Sequence, residues 1–156
     1  MRKELTDLTI REFETRLAST APAFRRTSYE NRDAVIRMYA CEADGVRRFL
    51  LLQCDKRENA FTIEVAWSKG GDYPFMTFMA QVPALEANVP AEGRLRLLQL
   101  SVADAKHHWW KVSDSVIGRL AGKTVQTQME DAFAHLANDG LPYLEKVSRR
   151  LISSSP

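Results

Sequence analysis

The stretch VRRFLLLQCDKRENAFTIEVAW, residues 46–67, decides the fold of this chain. Its first part, VRRFLLLQC, is a short apolar run, and its last part, AFTIEVAW, alternates between two kinds of side chain. A period of two is typical of a β-strand, because successive side chains point to opposite faces of the sheet. The polar connection DKREN between the two parts has a length common in hairpins. The stretch therefore predicts two neighbouring antiparallel strands.

The pair Asp44-Gly45 separates this stretch from another apolar run at residues 34–41. Asp-Gly is a strong hairpin signal, because a type I′ turn needs positive φ at both central residues. With these two residues in the turn, the third strand is antiparallel to the strand that begins at Val46. The resulting register pairs Ala43 with Val46, Cys41 with Arg48, and Cys54 with Val35.

This register keeps the two cysteines of the 156-residue chain apart. Cys41 and Cys54 lie six positions apart along the ladder, which is about 20 Å at the rise of a strand. A disulfide needs Cα atoms within about 7 Å. We therefore expect two free thiols, which suits a reducing compartment. The N-terminus has no long apolar run, so we expect a cytoplasmic protein with no membrane segment.

The periodicity of the other segments predicts helices before and after the strands in the sequence. We expect a helix at 3–19, a strand at 24–29, an additional strand at 95–102, a short helix at 113–121, a helix at 125–136, a stop at Asn138-Asp139-Gly140 and a last helix from Pro142. The predicted fold class is α+β: an N-terminal helix, an antiparallel meander of four or five strands, and C-terminal helices packed on the sheet. One domain spans residues 1–152, and residues 153–156 form a disordered tail.

Both faces of the inner strands are apolar. One face has Val35, Tyr39, Leu50 and Leu52, and the other has Ile36, Met38, Phe49 and Leu51. A sheet that is apolar on both faces must be covered on both. If the helices cover only one, the remaining apolar surface marks a partner site or a dimer interface.

A cluster of aromatic and methionine residues in an irregular segment favours protein binding or self-association as the function, with no cofactor. The candidate binding residues are Phe75, Met76, Phe78, Met79, Trp109, Trp110, Tyr39 and Arg47. The alternative for the segment around Phe75 is a lid that covers an open sheet face. For Arg47, the alternative is a solvated or edge-protecting role.

Two other function classes stay open. A small hydrolase would use His107 or His108 with Glu64 or Asp104, provided that these groups converge. We expect Glu64 to face solvent or a shallow groove. The adjacent histidines point apart in a strand or a helix, which argues against a metal site. Binding of single-stranded nucleic acid would use a second set of residues on bases and phosphates: Trp109, Trp110, Tyr39, Arg47 and Lys111. The net charge of +2 makes nucleic acid an improbable partner.

Three segments resemble a bacterial family catalogued as domain of unknown function 4304. They are FLLLQCDKRENAFTIEVAW, GRLRLLQLS and HHWWKV, with matching positions at Gln53, Phe61, Thr62, Ile63, Arg96, Leu97, Trp109 and Trp110. The chain departs from the family pattern at Ala66-Trp67, where a glycine is more typical. The resemblance implies a fold of the predicted kind and supplies no activity. It makes a toxin-neutralising immunity protein one concrete form of the protein-binding hypothesis.

Overall fold

The computed structural model describes residues 1–31, 34–86, 88–102 and 108–153. It has the predicted order of an N-terminal helix, an antiparallel sheet and C-terminal helices. The helices are α1 Lys3–Thr20, α2 Val116–Leu120, α3 Val125–His135 and α4 Leu141–Ser153. The strands are β1 Arg25–Asn31, β2 Val35–Ala43, β3 Val46–Asp55, β4 Ala60–Ser68, β5 Glu92–Arg96 and β6 Trp110–Lys111. The α+β class is confirmed.

The strands lie in sequence order from β1 to β5, and every neighbouring pair is antiparallel. The short β6 pairs with the start of β4, where it continues the edge that β5 occupies at the end of β4. The predicted register is also confirmed, since Ala43 pairs with Val46 and Cys54 with Val35. The turn residues Asp44 and Gly45 have φ of 56° and 75°, as an Asp-Gly hairpin requires.

Both cysteines are free thiols. Cys41 is half-buried, whereas Cys54 lies in the core between the sheet and the helices. Burial raises the pKa of the Cys54 thiol to about 12, and it also raises the pKa of Cys41. Because a thiol reacts through its ionised form, burial disfavours reaction at Cys54.

One face of the sheet is covered by α1, α3 and α4. The core between them contains apolar residues of the two inner strands β3 and β4 together with those of the helices: Leu50, Leu52, Ile63, Val65, Phe13, Met129, Leu144 and Val147. The ring of Phe13 lies 5.1 Å from Tyr39 and 5.4 Å from Phe133, so α1 joins the sheet to α3. This face is therefore closed by the chain's own helices.

The strand expected at 95–102 is wrong in its bounds. β5 begins at Glu92 and ends at Arg96, and a 3-10 turn, Leu97–Leu100, follows. The side chain of Gln99 explains the change, since its Oε1 accepts from the backbone N–H of Arg96 at 2.6 Å. Its Nε2 donates to the carbonyl of Met79 at 2.8 Å, which anchors the turn to a distant segment.

The helix stop expected at Asn138-Asp139-Gly140 is also wrong. A π-helical turn, Leu136–Gly140, joins α3 to α4, and the backbone stays helical on both sides of it. Leu141 donates its N–H to the carbonyl of Leu136, a wider turn than the α-helix makes. Pro142 has no N–H to donate and its ring crowds the preceding turn, so a widened turn accommodates it.

The short helix α2 lies within the expected range 113–121 but begins only at Val116, because the side chain of Ser115 caps it by accepting from the N–H of Gly118. Gly122 lies just beyond its end, with a φ of 71°. Ser153, assigned to the tail, is the last residue of α4. The rest of the expected tail, residues 154–156, lies outside the described residues. None of the helices in the described ranges is both long and apolar enough to cross a membrane.

Candidate functional site

The second face of the sheet is covered differently from the first. Its buried residues are Met38, Phe49, Leu51 and Ala66, and the partly buried Tyr29, Ile36, Ala40 and Tyr73 pack around them. All of these residues belong to strands or to the loop after β4. In the part of the chain that the structure describes, none of the residues in this small cluster comes from a helix. A loop therefore does here what helices do on the other face.

That loop crosses the second face through aromatic contacts. The ring of Tyr73 meets Phe49 edge-on, with centroids 5.2 Å apart. Phe75 lies 4.7 Å from Tyr73 and 5.4 Å from Tyr29, which fixes its position over the sheet. The lid interpretation thus holds for Tyr73. Three neighbouring residues nonetheless remain open to solvent: Phe75 at 47%, Met76 at 95% and Phe78 at 42% of their full exposure.

A buried ion pair ties the loop to the sheet. Arg94 Nη1 donates to both carboxylate oxygens of Glu64, at 3.0 and 2.8 Å. The hydroxyl of Tyr73 donates to the same carboxylate at 2.8 Å. Arg94 also donates through Nε and Nη2 to the carbonyl of Phe75, at 3.3 and 3.1 Å. One guanidinium therefore connects a buried acid to the backbone of the exposed segment.

The expectation that Glu64 faces solvent is wrong, since only 4% of it is exposed. The alternation along β4 does place it opposite Ile63 and Val65, but the loop covers that face. Burial raises the pKa of Tyr73 well above its usual range, and the charge and the hydrogen bond of Glu64 raise it further. Tyr73 therefore keeps its proton and continues to donate to Glu64 at alkaline pH.

Two arginines and two aromatic rings extend this site toward the sheet edge. The guanidinium of Arg94 lies 5.1 Å from the centre of the Phe78 ring, and that of Arg96 lies 5.6 Å from it. Arg96 also lies 5.2 Å from the ring of the half-buried Trp109. These are distances at which a cation is attracted by an aromatic face. We call the set Phe75, Met76, Phe78, Arg94, Arg96 and Trp109 the aromatic–arginine surface.

The backbone holds Phe78 in place as well. Arg94 donates its N–H to the carbonyl of Thr77 at 3.1 Å, and Met79 donates to the carbonyl of Arg94 at 2.8 Å. Phe78 thereby forms an isolated parallel bridge with Arg94. Met79 itself is half-buried and packs against the helix-covered core, so it anchors the segment.

The other candidate binding residues lie elsewhere. Trp110 is 4% exposed and stacks on Phe61 with centroids 5.4 Å apart, and its Nε1 donates to Asp131 at 2.9 Å. Tyr39 is buried beneath α1 and donates its hydroxyl to Glu14 at 2.8 Å. Neither ring is accessible to a ligand. Arg47 lies on the second face, where it donates to the carbonyl of Gly71 at 3.1 Å.

The candidate catalytic residues do not converge where they can be described. His108 is buried, and its Nε2 lies 2.8 Å from the carbonyl oxygen of Val102. Glu64 is occupied by Arg94 and Tyr73 instead. His107 and Asp104 lie outside the described residues. Within the described ranges, no group of three or more His, Cys, Asp or Glu side chains could hold a metal ion.

A polar cluster around His135 escaped the sequence analysis. Its Nδ1 lies 3.3 Å from Ser101 Oγ and 3.2 Å from Asp139 Oδ2, while its Nε2 lies 3.8 Å from Asp131 Oδ2. A Ser-His-Asp triad needs the serine and the orienting acid on opposite ring nitrogens. Here Ser101 shares Nδ1 with the nearer acid, Asp139. The two acids lie four residues before and after His135, a helical spacing that could have revealed the cluster.

Comparison with protein-family models, curated proteins and solved structures finds no match for this chain.

Proposed function

We propose that this protein acts by binding another protein through the aromatic–arginine surface. The observation that carries the proposal is the exposure of Phe75, Met76 and Phe78 on a segment that is held rigidly from below. Flexible loops lose conformational entropy when they bind, whereas a preorganised surface avoids much of that cost. Here the ion pair of Glu64 with Arg94 and the backbone bonds of Thr77 and Met79 supply the preorganisation.

The composition of the surface supports the same function. Aromatic residues, methionine and arginine are enriched at protein interfaces, and the residues that dominate binding energy are often Trp, Tyr or Arg. The surface combines these types with few free charges, because the carboxylate of Glu64 neutralises Arg94. It therefore offers an apolar centre with one positive group, Arg96, beside it.

Neutralisation of a toxin is a more specific form of this proposal. It rests on the resemblance to the domain of unknown function 4304 and on the absence of a convergent catalytic set among the described residues. A cytoplasmic location is proposed with it, since the free thiols of Cys41 and Cys54 suit a reducing compartment. The hydrolase and nucleic-acid hypotheses have weaker support: His108 and Glu64 are engaged separately, and Tyr39 and Trp110 are buried.

Affinity capture from a lysate of the source organism, with the wild type and two matched variants, tests the proposal. Met76→Asp places a charge on the aromatic–arginine surface, and Ile117→Asp places one on α2, where the side chain is 80% exposed. Both side chains are largely solvated, so neither change should disturb folding. We expect a protein retained at high salt by the wild type and by Ile117→Asp, but lost by Met76→Asp. Retention of the same protein by Met76→Asp would refute this location of the binding surface.

The same variants distinguish self-association from binding of a different protein. Sedimentation of the purified wild type would show a dimer if the surface pairs with a second copy of the chain. In that case Met76→Asp should sediment as a monomer while Ile117→Asp stays dimeric. A wild type that sediments as a monomer at all concentrations leaves a different protein as the partner.

A further inference from the structure

Among the residues that the structure describes, no acidic side chain forms an ion pair with Arg96 of the aromatic–arginine surface, whereas Arg94 is paired with Glu64. Arg96 pairs in register with Glu64 across the β4–β5 ladder, so a carboxylate stands directly opposite it. That carboxylate instead binds Arg94, two residues earlier on β5. In the ranges that the structure describes, no side chain or carbonyl accepts a hydrogen bond from the guanidinium of Arg96, and its Nε is buried without a partner. Its guanidinium lies over the rings of Phe78 and Trp109 instead.

A guanidinium held in this way is prepared to bind an anion. The two rings limit the positions that the side chain can adopt, so little freedom is lost when an acceptor arrives. The Nε is a buried donor without a partner among the described residues, so this guanidinium has an unused hydrogen-bonding capacity. Arginine presents its donors as a planar fork that matches the two oxygens of a carboxylate.

The charge of the surroundings favours a carboxylate over a phosphate. The neighbouring cation, Arg94, is already neutralised by Glu64, and Lys111 on β6 pairs with Glu58 at 2.9 Å. Within the described ranges, Arg96 therefore offers one uncompensated positive charge, which balances the single charge of an Asp or Glu side chain. A phosphate monoester has a charge of about −1.5 to −2 near neutral pH and would need a second cation.

We infer that Arg96 binds an aspartate or glutamate side chain of the partner protein. The acidic residue is flanked by an apolar residue that packs on Met76 or Phe78, which lie on the same surface. This inference rests on the proposed function and specifies the chemistry of the partner. It also separates the roles of the two arginines: Arg94 fixes the loop, and Arg96 recognises the ligand.

The test follows the Nε–H signals of the arginines by ¹⁵N NMR on the full chain, with the Arg96 signal assigned from its loss in Arg96→Lys. The probes are the blocked tripeptide acetyl-Phe-Asp-Phe-amide, the same peptide with Asn for Asp, and inorganic phosphate. We expect the Asp peptide to shift the Nε–H signal of Arg96 and the backbone amide signal of Met76. The Asn peptide should bind at least about tenfold more weakly. The remaining arginine signals serve as internal controls and should stay in place.

Other outcomes overturn the inference. Equal affinities for the Asp and Asn peptides would show that Arg96 recognises no charge, and tighter binding of phosphate would assign the site to a phosphorylated ligand. No shift at Arg96 with either peptide would also refute it. A shift at Met76 without a shift at Arg96 would leave the protein-binding surface intact and remove only the role of Arg96. Loss of the Met76 shift in Arg96→Gln, with the fold unchanged by circular dichroism, completes the expected result.

Discussion

Glu64 stands directly opposite Arg96 in the β4–β5 pairing, yet its carboxylate binds Arg94, the diagonal neighbour. The choice follows from where the acid is buried. Tyr73 approaches the same carboxylate from the loop, and Arg94 can reach both the acid and the carbonyl of Phe75. A pairing of Glu64 with Arg96 would not connect the acid to that carbonyl through one guanidinium. The diagonal pair therefore joins three separate segments, whereas the direct pair would join only two strands.

Replacing the buried acid should destabilise the protein. Glu64→Gln removes the charge that balances Arg94, whose side chain is 22% exposed, so we expect a loss of about 2 kcal/mol in the free energy of unfolding. Glu58→Gln is the control, because the Glu58–Lys111 pair is largely solvated and should contribute no more than about 0.5 kcal/mol. Urea denaturation measures both. Equal losses in the two variants would contradict a structural role for the Glu64–Arg94 pair.

Gly140 should be required by packing and not by its backbone conformation. A Cβ atom there would lie 2.7 Å from Leu97 Cδ1 and 3.1 Å from Leu136 Cδ1, both in the core. Alanine normally favours a helix by about 1 kcal/mol over glycine, but overpacking a filled core costs about 1–3 kcal/mol. We therefore expect Gly140→Ala to lower the thermal unfolding midpoint, measured by calorimetry.

The exposed neighbour Asn138 provides the control for this substitution. Asn138→Ala changes the same π-helical turn without entering the core, so its unfolding midpoint should stay the same or rise slightly. A rise in both variants would show that the helix can move away from Leu97, and the packing argument for Gly140 would fail.

Two glycine-containing segments, at Gly45 and at Gly140, show how far sequence patterns could predict this fold. The register of β2 with β3 was predictable residue by residue, because Asp44-Gly45 admits one tight turn and the apolar alternation permits no slip. Asn-Asp-Gly before Pro142 had the form of a helix stop. The backbone nevertheless stays helical through Gly140, where an added Cβ would lie 2.7 Å from Leu97 Cδ1 in a distant segment, and a local pattern does not contain such a contact.

The candidate site was predictable only in part for a similar reason. The exposed residues Phe75, Met76 and Phe78 were found by composition. Arg94 was missed because the predicted strand began at 95, after the residue that shares a sheet face with Arg96. The strand ends at Arg96 because of Gln99, whose side-chain amide donates to the carbonyl of Met79. That contact joins segments 20 residues apart, so propensity alone favours a longer strand.

The protein should lose stability in alkaline solution because it buries a thiol and a tyrosine hydroxyl that can ionise. Burial raises the pKa of Cys54 and of Tyr143 to about 12 in the folded protein, while a thiol in the unfolded chain ionises near 9. Above pH 9 the unfolded chain therefore binds fewer protons, and the free energy of unfolding falls as pH rises. Each such group contributes a slope of up to about 1.4 kcal/mol per pH unit.

Urea denaturation between pH 8 and pH 11 would measure this slope. Cys54→Ala should start from a lower stability, because it leaves a cavity, but its decline with pH should be shallower. Cys41→Ala is the comparison, since that thiol is only half-buried and its removal should change the slope less. A slope unchanged by Cys54→Ala would contradict the raised pKa of the buried thiol.

The two adjacent tryptophans should differ sharply in their access to solvent. Trp110 stacks on Phe61 in the core and donates to Asp131, and Trp67 is fully buried, whereas Trp109 is half-exposed beside Arg96. Acrylamide should therefore quench one component of the tryptophan fluorescence and leave the rest.

We expect Trp109→Phe to abolish the quenchable component with little loss of stability. Trp110→Phe should keep that component but destabilise the protein, because it removes the hydrogen bond to Asp131 and leaves a gap beside Phe61. Quenching that survives in Trp109→Phe would show that a core tryptophan is open to solvent and that the edge formed by β6 does not stay closed.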